Sequence, residues 1–373
     1  MNTNTDSRFY SLSRILSKKA KYNIIIGQRS NGKTFACLKH IIENYVKNSS
    51  QGAYIRRFKE DYRGKRGETL FDSIVESGAI SDVTDGEYDR IKYTAGKWYL
   101  AKWDSELQKV VTDQNPFCYA FALTDMEHDK STSYPRVTTI VYDEFLTRKY
   151  YMPNEFVIFC NVLSTIIRQR DDVTIFMLGN TVNKYCPYFK EMGLNHVSEM
   201  ELGKIDVYTY SDSKLKVAVE RCENLDKKVK KSDVYFAFNN PSLQMITGGA
   251  WEFMIHPHLE EEDKFKREDI VFSYFIDFDD NLLQAHIVST EDDRNFTYIH
   301  RKTTPIKNER KDVIFTSLWT TKDNYYFNIM RPVNELTRRI KYYFVAEKVF
   351  YQDNEVGEIV RNYIVHCKKS ISE

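Results

Sequence analysis

The chain has 373 residues, enough for two domains with a core each, and its 54 basic residues nearly cancel its 53 acidic ones. A net charge of +1 excludes a globally basic nucleic-acid coat protein and an acidic disordered chain, so any contact with DNA has to come from a local patch. Only 14 Gly and 8 Pro against 26 Tyr and 23 Phe exclude linker-like low complexity, and no apolar run reaches the roughly 20 residues of a membrane span. Six scattered cysteines (Cys37, Cys118, Cys160, Cys186, Cys222, Cys367) form no close pair and predict reduced thiols in a reducing compartment. The polar opening MNTNTDSRFY reads as lacking a secretory leader.

A short helix is expected over 11–19. The apolar run 22–26 then enters Gly27-Gln28-Arg29-Ser30-Asn31-Gly32-Lys33-Thr34, a G-x-x-x-x-G-K-T loop. Phe35, Leu38, Ile41, Ile42 and Tyr45 follow at helical spacing, so the loop lies between a buried strand and an amphipathic helix. Glycines let the backbone wrap a phosphate chain, and the unpaired N–H groups at the helix start attract its charge. Lys33 is expected to reach the β- and γ-phosphates of ATP, and the Thr34 hydroxyl to ligate Mg²⁺.

Further strands are expected at 52–56 and 117–123, a helix over 68–76, and a hairpin over 88–103 turning at Ala95-Gly96-Lys97. The run 137–142 ends in Asp143-Glu144. Asp143 suits Mg²⁺ held through its water shell, and Glu144 suits the base that deprotonates the attacking water. Pro153 opens a helix to about 168, and the strand 173–178 runs into Gly179-Asn180. Asn180 is a candidate γ-phosphate contact or a plain turn residue. Strands alternating with helices predict a mainly parallel sheet with its ligand at the carboxyl ends of the strands.

Residues 24–34, 54–59, 130–145, 153–155, and 180–183 with 187–189 resemble, in order and spacing, the genome-packaging ATPase (encapsidation protein) of φ29-type tailed phages. That family belongs to the additional-strand, catalytic-glutamate P-loop ATPases, and the likeness covers about residues 10–200. It implies a homomeric ring, typically a pentamer, on the portal of an empty capsid, using ATP and Mg²⁺ to translocate double-stranded DNA. A structural packaging RNA stays open as a further partner. The implied location is the host cytoplasm and, transiently, the portal vertex rather than the mature virion or a membrane. By the same resemblance Arg168 matches a trans-acting arginine finger, and Lys130 a lysine acting across the subunit boundary. A helix-end arginine favoured by the dipole is the other reading of Arg168. Arg56 or Arg57 would pair with Glu144 as a coupling switch. Lys59, Arg63, Lys65 and Arg66 follow in an expected loop, either DNA-phosphate contacts or a solvated surface.

Beyond the strand at 205–210, the charge-dense stretch 214–231 reads as a helical linker carrying Lys227, Lys228, Lys230 and Lys231. From about Asp233 the pattern is largely β, with strands near 271–278, 283–288, 297–301, 313–318 and 325–329 and a final helix over 340–351. The expected organisation is a P-loop ATPase domain at 1–205, a linker at 206–232 and a small α+β domain at 233–373. The resemblance implies that this last domain is RNase H-like, without nuclease activity, and binds nucleic acid or the portal; Lys302, Lys307, Arg310 and Lys311 are suited to that contact. Asp277, Asp279 and Asp280 lie close enough in sequence to converge on metal ions, but an Asp-rich hairpin turn is the commoner explanation. His256-Pro257-His258 before three glutamates reads more simply as a loop than as a metal site. A helicase-like or partition-type DNA ATPase and a terminase with a working nuclease are the alternatives.

Overall fold

The computed structural model describes residues 10–28, 31–125, 132–147, 151–180, 186–223, 256–259, 264–292, 294–318 and 320–369. The chain forms two compact units, one of residues 1–147 with 155–252 and the other of residues 148–154 with 253–373.

The first unit is built on one mixed sheet. In chain order its strands are β1 (Tyr22–Gly27), β2 (Gln51–Arg56), β3 (Arg90–Thr94), β4 (Lys97–Asp104), β5 (Lys109–Thr112), β6 (Cys118–Ala122), β7 (Val137–Asp143), β8 (Thr174–Asn180), β9 (Ile205–Tyr210) and β10 (Leu215–Arg221). Their order across the sheet is β3-β4-β6-β2-β7-β8-β1-β10-β9, with β5 paired to β4. The six strands from β6 to β10 run parallel, and antiparallel pairs finish both edges. Central strands covered on both faces need continuous apolar runs, and β1, β2 and β7 supply them.

The helix after β1 (Lys33–Asn48) buries Cys37, Leu38, Ile41, Ile42 and Tyr45. Trp98, fully buried, meets Tyr54, Tyr62 and Phe71 edge to face and donates its indole N–H to the Gly67 carbonyl at 2.8 Å. The hairpin turns at Ala95-Gly96, both with positive φ (48° and 76°), as a two-residue turn between right-twisted strands requires.

Three expectations are corrected in this unit. The first helix spans only Ser13–Leu16. The segment expected to be a loop at 59–66 forms a 3-10 turn, Lys59–Tyr62, and a short helix, Lys65–Glu68. The expected linker helix begins as a strand: β10 pairs with β1 from Tyr22↔Val217 to Ile26↔Arg221. Its charges alternate with Leu215, Val217 and Val219, and its Glu220 is buried because Tyr10 donates to it at 2.5 Å and Arg14 lies 3.8 Å away. Those partners sit some two hundred residues earlier. Lys227, Lys228, Lys230 and Lys231 lie outside the described residues.

The second unit holds a six-stranded sheet of β11 (Ile270–Phe278), β12 (Asn281–Ser289), β13 (Asn295–Arg301), β14 (Val313–Thr316), β15 (Tyr325–Tyr326) and β16 (Val349–Tyr351), ordered β15-β14-β11-β12-β13-β16. The helix expected over 340–351 spans Glu335–Val345, and the chain then makes β16 and a last helix, Asn354–Lys369, that periodicity had not marked. That helix buries Val356, Ile359, Val360, Tyr363 and Cys367 at helical spacing.

Candidate active site

Register brings the chemistry together. Gly27 ends β1 opposite Asn180 at the end of β8, and Asp143 ends β7 opposite Leu178. The carboxyl ends of three neighbouring parallel strands therefore open on one cleft of about 390 Å³, lined by Asn31, Gly32, Lys33, Thr34, Phe35, Asp143, Glu144, Leu178, Gly179 and Asn180. Two glycines are needed for this shape. Gly32 stands at φ 86° just before the helix, and a Cβ on Gly27 would lie 2.8 Å from the Cys222 Cβ, so β10 closes the back of the loop.

Lys33, only 5% exposed, donates from Nζ to the Gln28 carbonyl (2.7 Å), Asn31 Oδ1 (3.0 Å), the Gly27 carbonyl (3.3 Å) and Asn180 Oδ1 (3.4 Å). These acceptors are neutral, and burial brings the ammonium down to about 8. Among the described residues its hydrogen-bond partners are all neutral, an arrangement that favours a phosphate as the charge partner. Thr34 Oγ1 donates to Asp143 Oδ2 at 3.0 Å, and Tyr54 donates to the same oxygen at 2.7 Å. The other oxygen, Oδ1, accepts the Glu144 backbone N–H at 2.9 Å. Glu144 takes a left-handed φ of 56°, and its side chain is 56% exposed.

The neighbouring arginines at the end of β2, Arg56 and Arg57, do different work. Arg56 Nη2 meets Glu144 Oε2 at 2.6 Å, while its Nε reaches Asp61 at 3.4 Å. Arg57 turns inward and forks onto Glu155 at 2.8 and 2.9 Å, where Tyr142 and Tyr188 also donate to Oε1. It also donates to the Glu144 and Phe145 carbonyls, at 3.2 and 2.8 Å. Breaking so buried a pair by removing one partner costs about 3–5 kcal/mol. Arg57 therefore braces the main chain beneath Glu144 and does not meet the Glu144 carboxylate.

The remaining predicted residues divide by place. Arg168 closes its helix (Glu155–Ile167) at φ 51°, is exposed, donates to the Thr132 carbonyl at 2.9 Å, and does not line the cleft. Arg170 instead binds the Tyr134, Val137 and Ile166 carbonyls. Lys59 pairs with Asp125 at 2.5 Å, and Arg63, Lys65 and Arg66 are exposed. Arg29, Ser30 and Lys130 lie outside the described residues. Sequence reasoning missed Tyr54 and Glu155. Tyr54 sits two residues before Arg56, on the same face of β2, which was a readable signal; Glu155 lay within the resembling segment 153–155 but nothing there gave it a role.

A family model, Podovirus DNA encapsidation protein (Gp16), matches residues 4–236. The chain belongs to this family. The DNA packaging protein of Bacillus phage phi29 is 31% identical over 187 residues, which are 49% of this chain and 49% of that protein. The DNA packaging protein of Bacillus phage B103 is 30% identical over 183 residues, 48% of this chain and 50% of that one. The chain spans about half the length of the curated relatives it matches. Among solved structures, the Phi-28 gp11 DNA packaging motor superposes with a TM-score of 0.59 at 18% identity, covering 97% of this chain and 98% of that one. The bacteriophage Phi-29 genome packaging motor assembly gives 0.57 at 21%, covering 95% and 97%. At these identities the likeness is one of fold, and it extends the α/β mixed-sheet architecture of this DNA encapsidation family to the chain.

Proposed function

We propose that this encapsidation-family chain is an ATPase motor subunit that drives viral double-stranded DNA into a preformed capsid. The carrying observation is the convergence of Lys33, Thr34, Asp143 and Glu144 on one cleft. Gly27, Gln28, Arg29, Ser30, Asn31 and Gly32 would wrap the triphosphate, with Lys33 and Asn180 at its far end. Thr34 Oγ1 and Asp143 Oδ2, 3.0 Å apart, are the hard oxygen donors that Mg²⁺ takes with water completing its shell, so the residues fit that ion. When bound, it would offset the negative charge of the phosphate chain. Glu144 takes the proton of the water that attacks the γ-phosphorus, leaving ADP and phosphate.

In the state described, Arg56 holds the Glu144 carboxylate in an ion pair, so the base is sequestered. On its other side Arg56 lines a second cleft, about 470 Å³, with Tyr54, Asp61, Tyr62, Arg66, Thr69 and Leu70. A DNA backbone phosphate between Arg56 and Arg66 would compete with Glu144 for Arg56, linking grip to hydrolysis. Lys59, Arg63 and Lys65, which neighbour Arg66 in sequence, would add further phosphate contacts. The exposure of Arg168 and its place outside its own cleft support a role in a neighbour's site, stabilising charge on the γ-phosphate, with Lys130 across the same boundary. This reading takes a homomeric ring, typically five copies, at the portal in the host cytoplasm, with a packaging RNA as an optional link to the capsid. The domain at 233–373 would contact nucleic acid or the portal.

Phosphate release by the chain assembled on empty capsids tests this directly. Release should rise with double-stranded DNA and vanish in Glu144→Gln. A full assembly that takes up DNA yet releases no phosphate would sink the proposal.

A further inference from the structure

Away from the nucleotide cleft, three polar side chains run across adjacent strands of the second sheet. Ser273 on β11 lies opposite His286 on β12, and His286 is the diagonal neighbour of His300 on β13. Ser273 Oγ and His286 Nδ1 are 2.8 Å apart, the two Nε2 atoms face each other at 3.1 Å, and His300 Nδ1 reaches the Arg301 carbonyl at 2.8 Å. Tyr298 stacks on His300, with ring centroids 6.0 Å apart. All three groups are half-buried on a face that reaches solvent.

Each imidazole thus has its Nδ1 engaged by an oxygen, and each turns its Nε2 toward the same point. That is how metal-binding histidines are prepared: the outer N–H bond fixes tautomer and ring angle, and the inner nitrogen keeps its lone pair. Without an ion, one Nε2 must carry a proton to bond the other. The 3.1 Å separation is close to the roughly 3.3 Å edge of a tetrahedron whose metal–nitrogen bonds are about 2.05 Å long. No third His, Cys, Asp or Glu joins them among the described residues, so water would fill the remaining positions.

We propose that His286 and His300 form a binding site for a divalent transition ion of the zinc class, oriented by Ser273 and the Arg301 carbonyl. Borderline nitrogen donors select Zn²⁺, Ni²⁺ or Cu²⁺ over Mg²⁺, which prefers oxygen, so the site is separate from nucleotide chemistry. His300 Nδ1 donates to the Arg301 carbonyl, so the Nε2 proton sits on His286; on binding it moves to His286 Nδ1, where Ser273 Oγ accepts it, and the ion clamps β12 to β13.

The test uses the untagged full chain, stripped with chelator and titrated calorimetrically with Zn²⁺. One ion per chain should bind in the wild type and none at this site in His286→Gln or His300→Gln. Ser273→Ala should weaken binding about 10- to 100-fold, as loss of an outer partner does. Because either histidine variant could unfold locally, nitrogen NMR of the intact wild type provides a second readout. Two imidazole Nε2 signals should shift together on adding one equivalent. Unchanged binding in both histidine variants, or a wild type whose imidazole signals do not move, overturns the proposal.

Discussion

Both units end a buried strand in acids, and the endings differ. In the first, β7 is a parallel strand whose chain must leave the sheet, so Asp143 and Glu144 emerge over a cleft shared with β1 and β8. In the second, β11 turns straight back into β12, and Asp279 and Asp280 are the turn itself, with φ of 51° and 56°. Asp279 Oδ1 accepts the Asn154 N–H at 3.4 Å, and Asn281 binds the Asp279 carbonyl at 2.6 Å. Asp277 stays half-buried in the strand, its carboxyl pushed up by burial and by Asp280. The His256 region is likewise engaged locally, His256 with Glu358 at 2.9 Å and His258 with Asn354 at 3.0 Å. Acidic residues line a cleft where topology leaves a crevice beyond the strand, and form the turn where a hairpin closes it.

The sharpest way to break this contrast is Glu144→Gln, expected to lower phosphate release by about 10²–10⁴-fold, the usual worth of a positioned base. Next comes Glu155→Ala, which strands buried Arg57 and should lower stability by about 3–5 kcal/mol in chemical denaturation. The third is pH. Lys33 is pulled below its usual range to about 8 by burial, so the free cleft loses its positive charge as pH rises through that value. Asp143 favours the charged form of this ammonium, whereas the nearby Cys37 and Cys222 thiols are held neutral by burial. Nucleotide affinity one pH unit above that value should therefore be about tenfold below its low-pH plateau, read by equilibrium binding. Fourth, Arg56→Gln removes a partly exposed pair worth about 0.2–1 kcal/mol and should raise DNA-independent hydrolysis up to about fivefold. The smallest effect belongs to Asp277→Asn: phosphate release unchanged, and stability at neutral pH equal or slightly higher. A raised carboxyl disfavours its ionised form in the fold, and that cost, present once pH exceeds its folded value, disappears with the amide.

Much of the first site was legible because it is local. The phosphate loop, its strand and helix, and Asp143-Glu144 each declare themselves within ten residues. What was not legible is tertiary. Tyr54 bonds Asp143 across β2 and β7, and Glu155 is tolerated inside because Arg57, Tyr142 and Tyr188 gather on it. Charge density over 214–221 looked like a solvated helix, yet Val217, Ala218 and Val219 are buried beside β1. The final helix was hidden by Gly357, whose missing Cβ leaves room for the His256 ring.

That placement of β10 has a consequence for how the protein is made. The strand leading into the glycine-rich loop is synthesised well before its two neighbours, β8 and β10, which are encoded more than 145 residues later. The pocket therefore cannot mature cotranslationally in step with its own motif. It waits on a distant segment, and a nascent chain stalled before residue 215 would carry the glycine-rich loop with one flank of its sheet still bare.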